Sequence, residues 1–432
     1  MNLVKNDKKF WTALIIFGLT GQVAWVVENM YFNVFIYKMF NASASDISIM
    51  VAVSAVVATL TTILMGALSD KYAVRKPFIC FGYIIWGITI CSFALINVDI
   101  ISKIFGASSA LAVGVTLVII MDGVMTFFGS TANDACFNAW LTDSTNSSNR
   151  GKVEGINSMM PLVAILVVFG GFMSFNLDLP SSWTLVFIII GVLVILIGVS
   201  GFFLIKEVKI DRTENTNYFK NILYGFRPSV IKENVKLYLM LIGFAIFGIS
   251  IQVFMPYLIL YYEVSLGMKD YVLIMAPAII LASVFTALYG KTYDKLGFFK
   301  SIIAPVLLLI VGYIVLYFFK QTALVFIGSL LMMCGYLSGM AVFGAVIRDL
   351  TPANKSGMFQ GLRIIGQVLI PGIVGPFIGS AVLKGAEMHI GDDGTLQFIP
   401  NQNIFLAALV CAVVLCFALF AIFAILKKEN KK

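Results

Sequence analysis

The chain has 432 residues, of which 60% are hydrophobic and only 12% charged, against about 25% charged in an ordinary soluble domain. That balance excludes a soluble globular protein and points to one built for lipid. The formal net charge of +8, from 30 basic and 22 acidic residues, is explained by basic loops facing anionic lipid, so it gives no argument for nucleic acid as a partner.

Apolar stretches near bilayer-crossing length are read at 10–37, 46–69, 77–98, 108–141, 154–174, 182–205, 237–262, 271–290, 298–319, 323–347, 356–383 and 403–426. The first opens at Phe10 with no small-residue cleavage site after a short core, so it reads as a span and not as a removable leader. It carries the polar string Gln22, Glu28, Asn29 and Asn33, with Trp25 and Tyr31 among them. Glu28 falls about 27 Å along the helix from Phe10, at 1.5 Å per residue, in the outer half of the span. The fourth span holds Asp122, placed near the outer interface, and Asp134, nearer the opposite end. Ser130, Asp134 and Asn138 recur every four residues and share one helix face.

A charged stretch at 207–236 separates six spans from six, giving an N-terminal bundle at 1–206 and a C-terminal bundle at 237–432. Around Tyr218–Arg227 the stretch has the pattern of an amphipathic surface helix. The seventh span brings Gln252, Tyr257, Tyr261 and Tyr262. The eleventh brings Arg363, with Gln360 and Gln367 on the same face. Pro161, Pro256, Pro277, Pro371 and Pro376 interrupt spans and supply bending points. The six cysteines lie inside apolar segments and read as small buried hydrophobes. One histidine, His389, falls in an outer loop, so no histidine metal site is expected, and no cofactor or metal is implied.

With a cytoplasmic N-terminus, 24 of the 30 basic residues fall on the inner side and only Lys38, Lys103, Lys269, Lys320 and Lys384 outside. An asymmetry of this size sets orientation. The expectation is an all-α integral membrane protein of the cell membrane, with twelve transmembrane helices and both termini cytoplasmic.

The two halves repeat. Gly66, Asp70, Lys71, Arg75 and Lys76 follow the second span; Gly290, Asp294, Lys295 and Lys300 follow the eighth, with the same glycine-to-aspartate spacing. Asp143, Gly151 and Gly155 match Asp349, Gly357 and Gly361. Gly18, Gln22 and Val23 match Gly248, Gln252 and Val253. Duplication of a six-helix unit is the plan of many secondary transporters.

On these residues the chain resembles a transporter of the major facilitator superfamily along essentially its whole length. Within that superfamily it is similar to glycoside–pentoside–hexuronide cation symporters and to proton-coupled sucrose transporters, through Met65–Ile79 and through Leu141, Thr142, Asp143 and Arg150. Two departures stand out. Ala73 sits where the family usually has glycine, a position the second copy keeps as Gly297. Ala58–Thr62 also lacks the acidic residues that the glycoside symporters carry there. The resemblance implies two pseudo-symmetric six-helix halves, a monomer, alternating access, and a small-molecule substrate moved with a coupling cation, proton or sodium. The Gly66 motif then reads as a latch, the glycine allowing close helix approach and Asp70 and Asp294 pairing with basic groups.

Charged groups in spans cost roughly 3 kcal/mol or more each at the bilayer centre, so each needs a reason. For Glu28 and Asp134 the sharp reading is coupling, since a carboxylate in a low-dielectric cavity can exchange a proton near neutrality. The bland reading is a hydrogen bond to a neighbouring helix, and the same choice holds for Asp122. Arg363 reads as a structural ion-pair partner or as an anchor for a substrate carboxylate. Trp25 and Tyr257 read equally as sugar-stacking or as packing aromatics, while Tyr261, Tyr262 and Trp140 read as interfacial belt residues. Gln22, Asn29, Asn33, Asn133, Asn138 and Gln252 complete a polar lining that favours a small polar solute, a sugar by preference. The rival is an exporter of amphipathic compounds, suited by 37 Phe and 19 Met. No phosphate-binding glycine loop, nucleophile–base set or pore loop appears, so an ATPase, an enzyme and a channel are all disfavoured.

Overall fold

The computed structural model describes residues 8–145, 150–207, 224–351, 361–390 and 396–429. Among these, eleven helices are long and apolar enough to cross a membrane. In the first half they are Lys8–Phe40, Ala44–Tyr72, Lys76–Leu95, Ala107–Asp143 and Pro180–Leu204. In the second they are Val235–Ser265, Val272–Leu296, Phe298–Phe318, Thr322–Leu350, Gly361–Val382 and Asn403–Lys428. A further helix, Arg150–Phe172, lies fifth in chain order, and its apolar part Met159–Phe172 is shorter. Counting it, we number the helices first to twelfth.

The chain divides into two compact units, Met1–Asp46 with Val53–Lys220, and Ile47–Ala52 with Asn221–Lys432. Helix ends follow local chemistry. Ser43 caps the second helix in a reciprocal box with Asp46, satisfying two otherwise orphaned backbone donors. Pro180 opens the sixth helix, where its missing N–H costs nothing. In the first unit the third and sixth helices meet through small residues, and a Cβ added to Gly87 would lie 2.5 Å from the Gly191 carbonyl oxygen. Without a hydrophobic drive between helices in lipid, such close backbone approach supplies much of the packing energy.

Among the described residues, four helices are widened by π segments, at Val27–Tyr31 in the first, Ser130–Phe137 in the fourth, Tyr261–Ser265 in the seventh and Ile365–Leu369 in the eleventh. Such segments concentrate at functional sites because they re-aim side chains and free backbone carbonyls. Three of the four carry an acidic residue: Glu28, Asp134 and Glu263.

Several expectations need correction. The seventh helix runs to Ser265 and so encloses Glu263, beyond the end expected at 262. The connection between the third and fourth helices holds its own helix, Val98–Phe105, capped by the Asn97 side chain. The loop containing His389 forms a two-stranded antiparallel hairpin, Met388–Ile390 with Leu396–Phe398. Of the surface helix expected around Tyr218–Arg227, residues 218–223 lie outside the described residues. Beyond them the chain forms a single turn at Tyr224–Phe226 and a short helix at Pro228–Glu233. Gly357 and Gln360 also lie outside the described residues.

The belt reading fails for Trp140, Tyr261 and Tyr262, which are at most 1% exposed. Trp140 donates its indole N–H to the Lys206 carbonyl at 2.9 Å, and Tyr262 shares a 2.6 Å hydrogen bond with Ser329. Satisfied polar tips let these two rings pack inside the protein, away from an interface.

Candidate functional site

The first, third and fourth helices are joined at mid-length by one buried polar pair. Asn133 donates to the Tyr83 hydroxyl at 2.6 Å, and Tyr83 donates to the Phe17 carbonyl at 2.9 Å. Gly21 makes room for both, since a Cβ there would stand 2.1 Å from Asn133 Nδ2 and 2.7 Å from Tyr83 Oη. Next to this joint Trp25 packs on Trp86, with ring centroids 5.0 Å apart.

Around the joint stand the three carboxylates. Glu28 and Asp122 are 6% and 1% exposed. Asp122 therefore does not reach the interface, contrary to its position counted along the sequence; helix packing buries it. Thr126, one turn beyond Asp122, donates to Glu28 Oε1 at 2.8 Å. Ser54, on the second helix, donates to Asp122 Oδ2 and lies 3.4 Å from the Thr126 hydroxyl. Three helices thus meet in the chain Glu28–Thr126–Ser54–Asp122.

Asp134 differs in being only part-buried. It accepts from the Ser130 hydroxyl at 3.0 Å, and its backbone carbonyl accepts from the Asn138 amide at 3.2 Å. The Trp25 indole lies beside the same carboxylate without closing a hydrogen bond. Gln22 is part-buried, and Asn29 and Asn138 are exposed. Asn29 donates to the Trp25 carbonyl at 2.7 Å, which holds its amide on its own helix.

The sequence-derived residues of the second unit form a weaker site. Tyr257 is 0% exposed and its hydroxyl donates to the Pro376 carbonyl at 3.3 Å. A ring so enclosed packs helices together, which corrects the stacking reading. Gln252 is part-buried, its backbone and Cβ pressed against Gly375. Arg363 donates through Nε to Gln367 Oε1 at 3.3 Å.

The repeated loop motif is well formed in the first copy. Arg75, 4% exposed, pairs with Asp70 and donates through Nε to Asp143 Oδ2 at 3.0 Å. Burial disfavours its charge, yet the Asp70 and Asp143 carboxylates outweigh that and hold the guanidinium pKa above its ordinary value. Glu207 accepts from the backbone N–H of Arg75 and Lys76 at 2.7 and 3.0 Å, capping the third helix. Lys76 reaches the Phe202 carbonyl at 2.7 Å, while Lys71 is exposed.

In the second copy Asp294 and Lys295 are exposed, and the link is Tyr293 donating to Asp349 Oδ2 at 2.5 Å. The close-approach role expected of the motif glycines is not found. A Cβ on Gly66 would meet Ala135 at an ordinary 3.9 Å, and one on Gly290 would meet nothing within 4 Å.

Sequence reasoning missed Ser54, Thr126, Tyr83 and Glu207 as partners, and it read Asn133 as polar lining where the structure has it bonded to Tyr83. The i, i+4 spacing of Asp122 and Thr126 was a usable signal. The Ser54 contact joins two separate helices and had none.

Residues 10–376 match the family model of the Major Facilitator Superfamily. Among solved structures, the chain is similar to a bacterial homolog of the human lysosomal transporter Spinster in an inward-facing conformation. That likeness has 17% identity and a TM-score of 0.70, covering 98% of this chain and 99% of that one. It is also similar to the nucleoside transporter NupG, with 13% identity and a TM-score of 0.70, over 96% of this chain and 99% of that one. At these identities the likeness concerns the fold. No curated protein matches by sequence.

Proposed function

Because the chain belongs to the Major Facilitator Superfamily and is therefore a multi-pass membrane transporter and not an enzyme, we propose that it carries a small polar solute, a sugar by preference, by alternating access coupled to a proton or sodium gradient. The observation that carries this reading is the chain Glu28–Thr126–Ser54–Asp122 inside one helical unit. Two carboxylates sunk in membrane helices cost several kcal/mol, roughly 3 each, and a merely structural polar bridge would be cheaper with amides. Their presence fits a group that must change charge during the cycle.

The solute-facing residues in this reading are different ones. Asp134, part-exposed beside Trp25, offers two acceptors for hydroxyl groups and a ring for an apolar sugar face. Gln22 and Asn138 extend the polar surface. The bundles at 1–206 and 237–432, joined by 207–236, serve as the two moving bodies, and the basic asymmetry places the Arg75 loop and both termini in the cytoplasm.

A thermal-shift screen of the purified protein against sugars, nucleosides and amphipathic drugs tests the solute class, because a ligand of the folded state raises its melting temperature by mass action. A sugar is expected to stabilise wild type and to stabilise Asp134→Asn much less. Proteoliposomes with an imposed proton or sodium gradient should then accumulate that sugar. Stabilisation by amphipathic drugs alone would overturn the sugar reading in favour of an exporter.

A further inference from the structure

The hydrogens in the Glu28–Asp122 bridge can be counted. Thr126 has one hydroxyl hydrogen and gives it to Glu28 Oε1 at 2.8 Å. Ser54 has one and gives it to Asp122 Oδ2. The two hydroxyl oxygens lie 3.4 Å apart with no hydrogen left for that contact. Glu28 Oε2 and Asp122 Oδ1 are then buried acceptors without a hydrogen-bond partner, on residues only 6% and 1% exposed. Leaving such atoms unsatisfied is costly, and two ionised carboxylates would add mutual repulsion to two desolvation penalties.

The surroundings do not supply the missing positive charge. The titratable group acting on Glu28 besides Asp122 is Asp134, itself acidic. Beyond Asp134 stands Tyr83 of the third helix, whose hydroxyl is engaged with Asn133 and the Phe17 carbonyl. Among the described residues, no lysine, arginine or histidine is one of the groups that act on the pair. The bridge is short of hydrogen at the two places where acceptors stand empty.

Resting on the coupling reading above, we propose that Glu28, Thr126, Ser54 and Asp122 form one protonation unit holding a single exchangeable proton, and that this proton, not sodium, is the coupling ion. The proton adds to Glu28 Oε2 or Asp122 Oδ1, turning one carboxylate into a carboxylic acid and one empty acceptor into a donor. Its release restores the carboxylate, and only an O–H bond is made or broken. A hydroxyl that donates to an acid keeps lone pairs that a cation can take, so sodium is the competing occupant that the comparison of salts tests. Ser54 and Thr126 are positioning residues. They tie two acids into one unit, so that a proton on either is felt by both and the pair titrates together.

The test needs no solute. Melting curves of the full-length protein in detergent are recorded across the neutral pH range, in potassium chloride and in sodium chloride. A proton bound by the folded unit and released on unfolding makes stability fall as pH rises, and the apparent unfolding constant should grow by up to about tenfold per pH unit. Glu28→Gln and Asp122→Asn should each flatten that dependence, and the double variant should flatten it no further. Ser54→Ala keeps both acids and should move the midpoint or split one step into two.

Selective stabilisation of wild type by sodium would overturn the proton in favour of a cation site. An undiminished pH dependence in Glu28→Gln, additive losses in the double variant, or an unmoved midpoint in Ser54→Ala would overturn the shared unit. Should proteoliposomes show no gradient-driven accumulation while these curves behave as stated, the coupling reading falls and the protonation unit stands. The converse result removes the unit alone.

Discussion

The first unit buries carboxylates, and the second buries neutral hydroxyls in comparable roles. Glu28 and Asp122 are bridged by Thr126 and Ser54 in the first. In the second, Ser250 donates to the Ala408 carbonyl at 2.8 Å and lies 3.2 Å from the Tyr313 hydroxyl, while Tyr262 meets Ser329 at 2.6 Å. The repeated loops differ in the same sense, with Arg75 between Asp70 and Asp143 in one copy and Tyr293 on Asp349 in the other. Hydroxyl pairs hold membrane helices together at little desolvation cost. The carboxylates of the first unit are therefore an expense that packing does not require, and the contrast is what the coupling proposal draws on.

The sharpest way to break this contrast is to neutralise one partner in each unit. Glu28→Gln is expected to abolish accumulation against a gradient while solute exchange persists. Tyr262→Phe should keep accumulation and cost only about 1 kcal/mol of stability. Uptake and melting temperature on the same preparations decide it, and equal loss of accumulation in both would dissolve the asymmetry.

A steric change comes next in size. Gly21→Ala places a methyl 2.1 Å from Asn133 Nδ2, and overpacking of this kind costs about 1–3 kcal/mol. A lowered melting temperature together with weakened transport is expected, because the joint that aligns the first, third and fourth helices is forced apart. Unchanged melting would mean that this joint is not what seats the carboxylates.

The loops offer a matched pair of smaller effects. Arg75→Ala strips Asp70 and Asp143 of their cation and should cost about 2 kcal/mol, discounted from a fully buried pair because Asp70 is partly solvated. Tyr293→Phe removes one neutral donor and should cost about 1 kcal/mol. If denaturation midpoints show the two to be equal, the ion pair adds nothing beyond a hydrogen bond. Transport should suffer more from Arg75→Ala, since the latch reading assigns it to the closed state.

The smallest change is favourable. Ala73 ends the second helix at φ 53° and ψ 39°, in the left-handed region, whereas its counterpart Gly297 adopts φ 70° without a Cβ. Ala73→Gly should therefore raise stability by about 1 kcal/mol, whereas Gly297, at φ 70° and ψ 176°, lies in a region open essentially to glycine alone, so Gly297→Ala should cost more, roughly 1–3 kcal/mol. A lower melting temperature for Ala73→Gly would show that chain entropy outweighs the strain.

The family and the helical membrane fold were legible in the amino-acid order, because both rest on signals that are local in the chain. A stretch of apolar residues crosses lipid whatever surrounds it, and Asp70 with Arg75 lies within one loop. Glu28, Asp122 and Asp134 were visible for the same reason, as charges stranded in apolar runs. Their relative standing was not visible. Asp122 counted along its helix falls near an interface, yet packing leaves it 1% exposed. Trp140, Tyr261 and Tyr262 have belt-like positions in sequence and buried ones in space, since rotation about a helix axis is set by neighbouring helices and not by composition.

What the order of residues determined by itself was which groups enter the membrane, because hydropathy is a sum over neighbours in the chain. What only the tertiary structure decided was which of those groups meet. Ser54 completes the Glu28–Asp122 bridge from another helix, and Tyr83 and Asn133 lock three helices across long sequence separations. Those contacts depend on helix rotation, on π segments that shift the register by one residue, and on glycines that let backbones close in. Each is a property of the packed bundle, where the cost of an unpartnered polar atom selects one arrangement over its neighbours.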